Sequence, residues 1–108
     1  MSAYVSVYMT ASSAEEADRI ASALVEERLA ACVNILGGIR SVYRWNGAVL
    51  RDAEVALIAK TRAALFDALA ARVRALHSYD VPCIVSWPIE AGNPAYLGWI
   101  GDETGGKA

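Results

Sequence analysis

Ile39-Arg40-Ser41-Val42-Tyr43-Arg44-Trp45-Asn46-Gly47-Ala48-Val49-Leu50 has the pattern of a β-hairpin. Asn46-Gly47 forms the turn, because both residues tolerate the positive φ that a two-residue hairpin loop requires. Ser41, Tyr43 and Trp45 share one face of the incoming strand by period-2 alternation. The return strand runs over 48–60 and ends in Val55-Ala56-Leu57-Ile58-Ala59, apolar on both faces. Upstream, Gly37-Gly38 interrupts an earlier strand segment, 31–36, and marks a bulge or kink.

Working outward, residues 3–9 alternate as a strand, with Val5, Val7 and Met9 on one face and Tyr4, Ser6 and Tyr8 on the other. Ser12 with Glu15, or Ser13 with Glu16, has capping-box spacing. The helix it opens is placed at 13–29, with Ala17, Ile20, Ala21, Leu24 and Val25 inward and Glu16, Asp18 and Arg19 outward. Beyond the hairpin, 62–76 reads as a second amphipathic helix and His77-Ser78-Tyr79-Asp80 as a loop. A last strand covers 81–87, and Asn93-Pro94 opens a short C-terminal helix. The order βαββαβ predicts an α+β, ferredoxin-like fold with an antiparallel sheet and a long hairpin between its second and third strands.

The 108 residues make one domain, 1–108, with a flexible tail expected over 103–108. Apolar residues are 56% of the chain, enough for a core without disulfides. Ten basic and twelve acidic side chains leave a formal charge of −2, which argues against a nucleic-acid binder. No apolar run approaches the ~20 residues that span a bilayer, and Met1-Ser2-Ala3-Tyr4 does not read as a secretory signal. Cys32 and Cys83 stand apart, a usage that suits a reducing cytoplasm. Glycine-rich phosphate loops, H-E-x-x-H and G-x-S-x-G are absent, so no enzyme is indicated.

Helices on one face of such a sheet should leave a polar opposite face. Here Tyr4 and Tyr8 lie opposite Val5 and Val7, and Ala56 and Ile58 opposite Val55 and Leu57. An apolar second face needs a cover, and a neighbouring subunit supplies one. The competing reading is that the C-terminal helix folds back over that face.

Glu27-Arg28-Leu29-Ala30-Ala31-Cys32-Val33-Asn34-Ile35, Ser41-x-Tyr43-x-Trp45-x-Gly47, Glu54 with Lys60-Thr61, His77-x-Tyr79-x-x-Pro82 and Tyr96-Leu97-x-Trp99 occur in that order. Together they resemble the CutA divalent-cation-tolerance family over about residues 5–100. The resemblance implies a tight homotrimer with inward-facing sheets, similar in architecture to PII-type signalling proteins. It also implies a link to tolerance of copper and other divalent cations. The family commonly has Pro where this chain has Ser78 and Glu where it has Cys83. Some members have a cysteine in place of Met9.

Candidate metal ligands are Cys32, His77 and Cys83; thiolates favour Cu(I) or Zn(II). The favoured reading of Cys32 is a packed core thiol, and that of His77 a cap on helix carbonyls. Tyr43, Trp45, Lys60 and Tyr79 are candidate cleft residues, with packing at an interface as the other reading, favoured for Trp45. No resident cofactor is required. Three functions fit these residues: a trimeric copper-tolerance protein with weak metal binding, a PII-like regulator binding a small anion or metabolite with Lys60 and Arg44 as lining, and a structural or partner-docking trimer.

Overall fold

The computed structural model describes residues 2–105. Four strands, β1 (Tyr4–Ala11), β2 (Cys32–Trp45), β3 (Ala48–Arg62) and β4 (Ile84–Pro88), form one antiparallel sheet in the order β2-β3-β1-β4. Helices α1 (Ala14–Glu26) and α2 (Phe66–Leu76) follow β1 and β3, and α3 (Pro94–Glu103) closes the chain. This is the ferredoxin-like plan expected from the element order.

Val5, Val7, Met9 and Ala11 point to the helical side of β1, and their register partners Thr61, Ala59, Leu57 and Val55 share that face. Ala17, Ile20 and Leu24 of α1 and Leu69 and Val73 of α2 complete the core. Thr61, fully buried, donates its hydroxyl proton to the Leu29 carbonyl at 2.7 Å, so the polar atom does not stand alone inside.

Helix α1 stops at Glu26 rather than at 29. The Arg28 and Leu29 amides return to the Val25 and Leu24 carbonyls, and Arg28 takes φ 60°. That is a Schellman closure with arginine where glycine is usual, which is why no stop signal is visible in the sequence. Val25 lies at the rim of the apolar stripe and is exposed. The helix expected at 62–76 begins with a 3-10 turn, Ala63–Leu65. Strand β4 starts at Ile84 rather than 81, leaving Pro82, which cannot donate to a ladder, and Cys83 in the approach to it.

The register of β2 shifts between Leu36 and Gly38. A one-residue bulge reverses which side chains face which way. Before it Cys32, Asn34 and Leu36 lie on the face away from the helices; after it Ile39, Ser41, Tyr43 and Trp45 do, beside Glu54, Asp52 and Leu50 of β3. The hairpin turns at Asn46 (φ 50°) and Gly47 (φ 80°). Strand β1 pairs with β3 only as far as Val55, so the hairpin tip projects from the body, giving a long axis of 47 Å against 25 and 23 Å.

Helix α3 does fold back, over one end of the non-helical face. Gly101 lies against the Tyr4 hydroxyl, and Tyr96 meets Cys32. The rest of that face stays open: Leu36, Val85 and Trp87 are exposed, and the Tyr8 and Trp87 rings lie 5.7 Å apart. The start of the segment expected as a tail, 103–108, is fastened to the fold. Glu103 belongs to α3, and Thr104 is buried, accepting from Arg62 Nε at 3.0 Å through its hydroxyl and from Arg62 Nη2 at 2.9 Å through its carbonyl. Residues 106–108 lie outside the described residues.

Thr104→Val should therefore lower the denaturant midpoint by the equivalent of about 1–3 kcal/mol, with an unchanged slope, because the Arg62 Nε–H loses its partner. A midpoint unchanged from the parent protein would show that α3 is not fastened there.

Candidate functional site

A cleft of about 370 Å³ opens where the base of the hairpin meets the segment after α2. Tyr43, Trp45 and Tyr79 contribute aromatic rings, and Asp52, Glu54 and Asp80 contribute carboxylates. Thr10, Val81 and Cys83 fill the remaining wall. The bulge at Gly37 is what brings Tyr43 and Trp45 to the same face as Asp52 and Glu54.

Hydroxyl protons are directed onto these carboxylates. Tyr79 donates to Glu54 Oε2 at 2.9 Å and Ser41 to Glu54 Oε1 at 2.6 Å; Tyr43 donates to Asp52. Burial, then the Glu54 carboxylate, pushes the Tyr79 phenol up to about 12. The Asp52 hydrogen bond does the same for Tyr43, in direction. The Cys83 thiol is pushed up by burial and by Glu54, so its thiolate is disfavoured.

Beneath the cleft lies a buried carboxylate that the helical pattern assigns to solvent. Glu16 is 2% exposed. Ser13 caps α1 by accepting from the Glu16 amide at 3.1 Å. The Glu16 carboxylate accepts from the Ser12 amide and hydroxyl, both at 2.9 Å, and from the Ser78 amide at 2.7 Å. Burial alone would raise its pKa, but the Ser12 and Ser78 hydrogen bonds outweigh that and hold it at about 2, against an ordinary 4.5. His77, at the end of α2, has a fully buried side chain. Its Nε2–H donates to the Thr10 carbonyl at 2.7 Å, and its Nδ1 accepts from the Tyr79 amide at 3.0 Å. A carbonyl can only accept and an amide N–H only donate, so these partners fix the tautomer. The His77 and Tyr79 rings pack 4.6 Å apart. Glu16 and His77 thus hold the 77–80 segment against the end of β1, with Tyr79 aimed at Glu54.

The family model for the CutA1 divalent ion tolerance protein matches residues 5–103. The chain belongs to the CutA1 family. The divalent-cation tolerance protein CutA of Thermus thermophilus is 54% identical over 99 residues, covering 92% of this chain and 96% of its own. The chloroplastic protein CutA 1 of rice is 50% identical over 98 residues, and there the match spans 91% of this chain but 55% of the relative's length. A solved structure described as the periplasmic divalent cation tolerance protein CutA from Archaeoglobus fulgidus superimposes with a TM-score of 0.91 at 44% identity, covering 94% of this chain and 98% of that one.

Within this CutA1 chain the candidate residues separate. Tyr43, Trp45, Tyr79 and Cys83 meet in the cleft. Lys60 does not: it lies opposite Cys32 on β3 and donates to Asn34. Arg44 faces away from the cleft, opposite Val49. Cys32 sits 3.6 Å from the Tyr96 hydroxyl under α3. The row Cys32–Lys60–Ser6–Trp87 crosses the whole sheet, three strand spacings or about 14 Å, and Cys83 lies beyond it. Both thiols are free, and a bridge within one chain would exceed the ~7 Å Cα limit. Among the described residues no three His, Cys, Asp or Glu side chains are grouped closely enough to hold a metal ion. No helix among them is long and apolar enough to cross a membrane. Sequence reading passed over Asp52, Asp80 and Glu16. Asp52 pairs with Ser41, two residues before Tyr43 on the same face, so pairing the hairpin strand by strand would have found it; Asp80 directly follows Tyr79 in a loop that carries no register. Nothing in the helical pattern marks Glu16 as buried.

A carboxyl that titrates lower in the folded protein than in the unfolded chain stabilises fully above the unfolded value. That contribution is lost as pH falls through the folded value. Glu16 should thus contribute up to roughly 3 kcal/mol near neutral pH, disappearing between about 4.5 and about 2. Glu16→Gln should flatten the stability-versus-pH curve in that window relative to the parent. Parallel curves for the two proteins, from urea unfolding at successive pH values, would contradict the assignment.

Proposed function

We propose that this chain acts as a divalent-cation tolerance protein, assembled as a homotrimer whose non-helical sheet faces meet, and that it binds copper weakly and without enzymatic turnover. Membership of the CutA1 family carries the functional part. Support for the assembly comes from the face that α3 leaves open. Trp87 is 51% exposed beside Tyr8, and Val85 and Leu36 lie on the same side. The projecting hairpin adds exposed Val42, Val49 and Leu50, which a neighbouring subunit would cover. Two free thiols support a reducing, cytoplasmic setting.

For the metal, Cys83 is the candidate that faces the cleft, with Glu54 nearby. His77 spends both ring nitrogens on the backbone, so it serves the cleft as a positioning group. A thiol next to a carboxylate favours Cu(I) or Zn(II) over harder ions. Because its proton must leave first, binding is weak near neutrality and strengthens as pH rises. Further ligands would come from a neighbouring subunit. The anion-binding alternative relied on Lys60 and Arg44, and neither lines the cleft.

Light scattering at micromolar concentration should give three times the chain mass. Ile58→Asp, on the open face opposite Tyr8, should dissociate or unfold the assembly by burying an unpaired charge. A folded parent monomer would remove the trimer from the proposal. Titration of the reduced protein with copper should show affinity rising with pH and lost in Cys83→Ser. Equal binding by that variant would leave only adventitious surface sites.

A further inference from the structure

The cleft has a composition that metal binding does not account for. Its three carboxylates are Asp52, Glu54 and Asp80, and no Lys, Arg or His lines it. The charge lining it is therefore uniformly negative. Yet the carboxylates are not close enough to each other or to Cys83 to enclose a single ion. They are spread around a cavity of about 370 Å³ whose other walls are Tyr43, Trp45 and Tyr79. A volume of that order, mostly apolar with a few oriented polar groups, is the size of a small organic ligand rather than a bare metal ion. Aromatic rings beside carboxylates suit a cation with an apolar body, through cation–π attraction and charge-assisted hydrogen bonds.

The carboxylates are also held in place before any ligand arrives. Glu54 has one oxygen fixed by Ser41 and the other by Tyr79, and Tyr79 is in turn set by His77 and the Glu16-bound segment. Each carboxylate oxygen can accept more than one hydrogen bond, so both Glu54 oxygens still have capacity for a donor in the cleft. Ordering is done in advance, which lowers what a ligand must lose on binding.

We propose that this cleft binds a small organic ammonium ion carried on an apolar or aromatic body. The amine N–H groups bond to Glu54 and Asp80, and the apolar body lies among Tyr43, Trp45 and Tyr79. This goes beyond the metal reading and does not depend on it: the ligand uses the carboxylates and rings, not the Cys83 thiol.

The test is calorimetric titration of the full chain in the presence of EDTA with three probes that share a phenylethyl body: 2-phenylethylammonium, 2-phenylethanol and 3-phenylpropionate. The ammonium ion should bind, and bind less tightly as salt rises. The alcohol should be at least about tenfold weaker, as expected when a charged hydrogen bond is lost, and the carboxylate should not saturate. Glu54→Gln, Asp80→Asn and Trp45→Ala should each weaken the ammonium ion several-fold. Asp80 lies on an exposed loop, so its variant keeps the test open if Glu54→Gln fails to fold. Equal affinity for the three probes, no binding of the ammonium ion, or binding indifferent to Asp80→Asn and Trp45→Ala would overturn the proposal. Chelator excludes metal from this experiment, so its failure would leave the copper titration standing, and the reverse.

Discussion

A carboxylate taken out of water must be repaid in hydrogen bonds, and Glu16 meets that condition through three donors from two separate segments. Ser12 belongs to the link between β1 and α1; Ser78 belongs to the link between α2 and β4. Joining them at one side chain fixes the entry of the first helix against the exit of the second. His77 repeats the connection one residue away, reaching from the end of α2 to the Thr10 carbonyl. From there the order passes outward: the Tyr79 amide to His77, the Tyr79 hydroxyl to Glu54, the Ser41 hydroxyl to Glu54. The wall of the cleft is thus an extension of a buried polar network, and the cleft is rigid to the degree that the network is complete.

The second determinant is the bulge at Gly37. A strand's side chains alternate strictly, so an uninterrupted β2 that places Leu36 outward would turn Tyr43 and Trp45 toward the helical side. The extra residue corrects this and lets one continuous face carry three different surfaces. One end lies under α3, the middle exposes Leu36, Val85 and Trp87, and the far end holds the acidic aromatic cleft. An assembly that covers the middle would leave the cleft at the margin of the contact, where a neighbouring chain can supply additional groups.

Features with a local cause were legible in the sequence. Asn46-Gly47 announces its turn because both residues accept left-handed backbone, and Gly37-Gly38 announces an irregularity in a strand. The apolar alternation of 3–9 and 55–59 fixed the core face and also showed that the opposite face is not polar. What failed to show had a tertiary cause. Arg28 closes α1 in a conformation that glycine usually takes, so the helix seemed three residues longer. Glu16 sits at a helix position that points outward in isolation and is covered only because the 77–80 segment lies over it. Lys60 shares an alternation with the cleft residues of β3 but lies too far along the strand, beside Asn34 instead. The segment before Ile84 looked like strand by composition, although Pro82 interrupts the ladder and leaves Cys83 free to face the cleft.

The buried Glu16 carboxylate positions Tyr79 against Glu54 through the 77–80 segment. Site-resolved NMR titration of ring-labelled tyrosine measures this without any ligand. In the parent protein Tyr79 should stay protonated until about pH 12. In Glu16→Ala it should titrate nearer the ordinary 10, because the 77–80 segment is released, while Tyr43, held by Asp52 within the hairpin, keeps its raised value. A folded Glu16→Ala protein in which Tyr79 still titrates at about 12 would contradict the account.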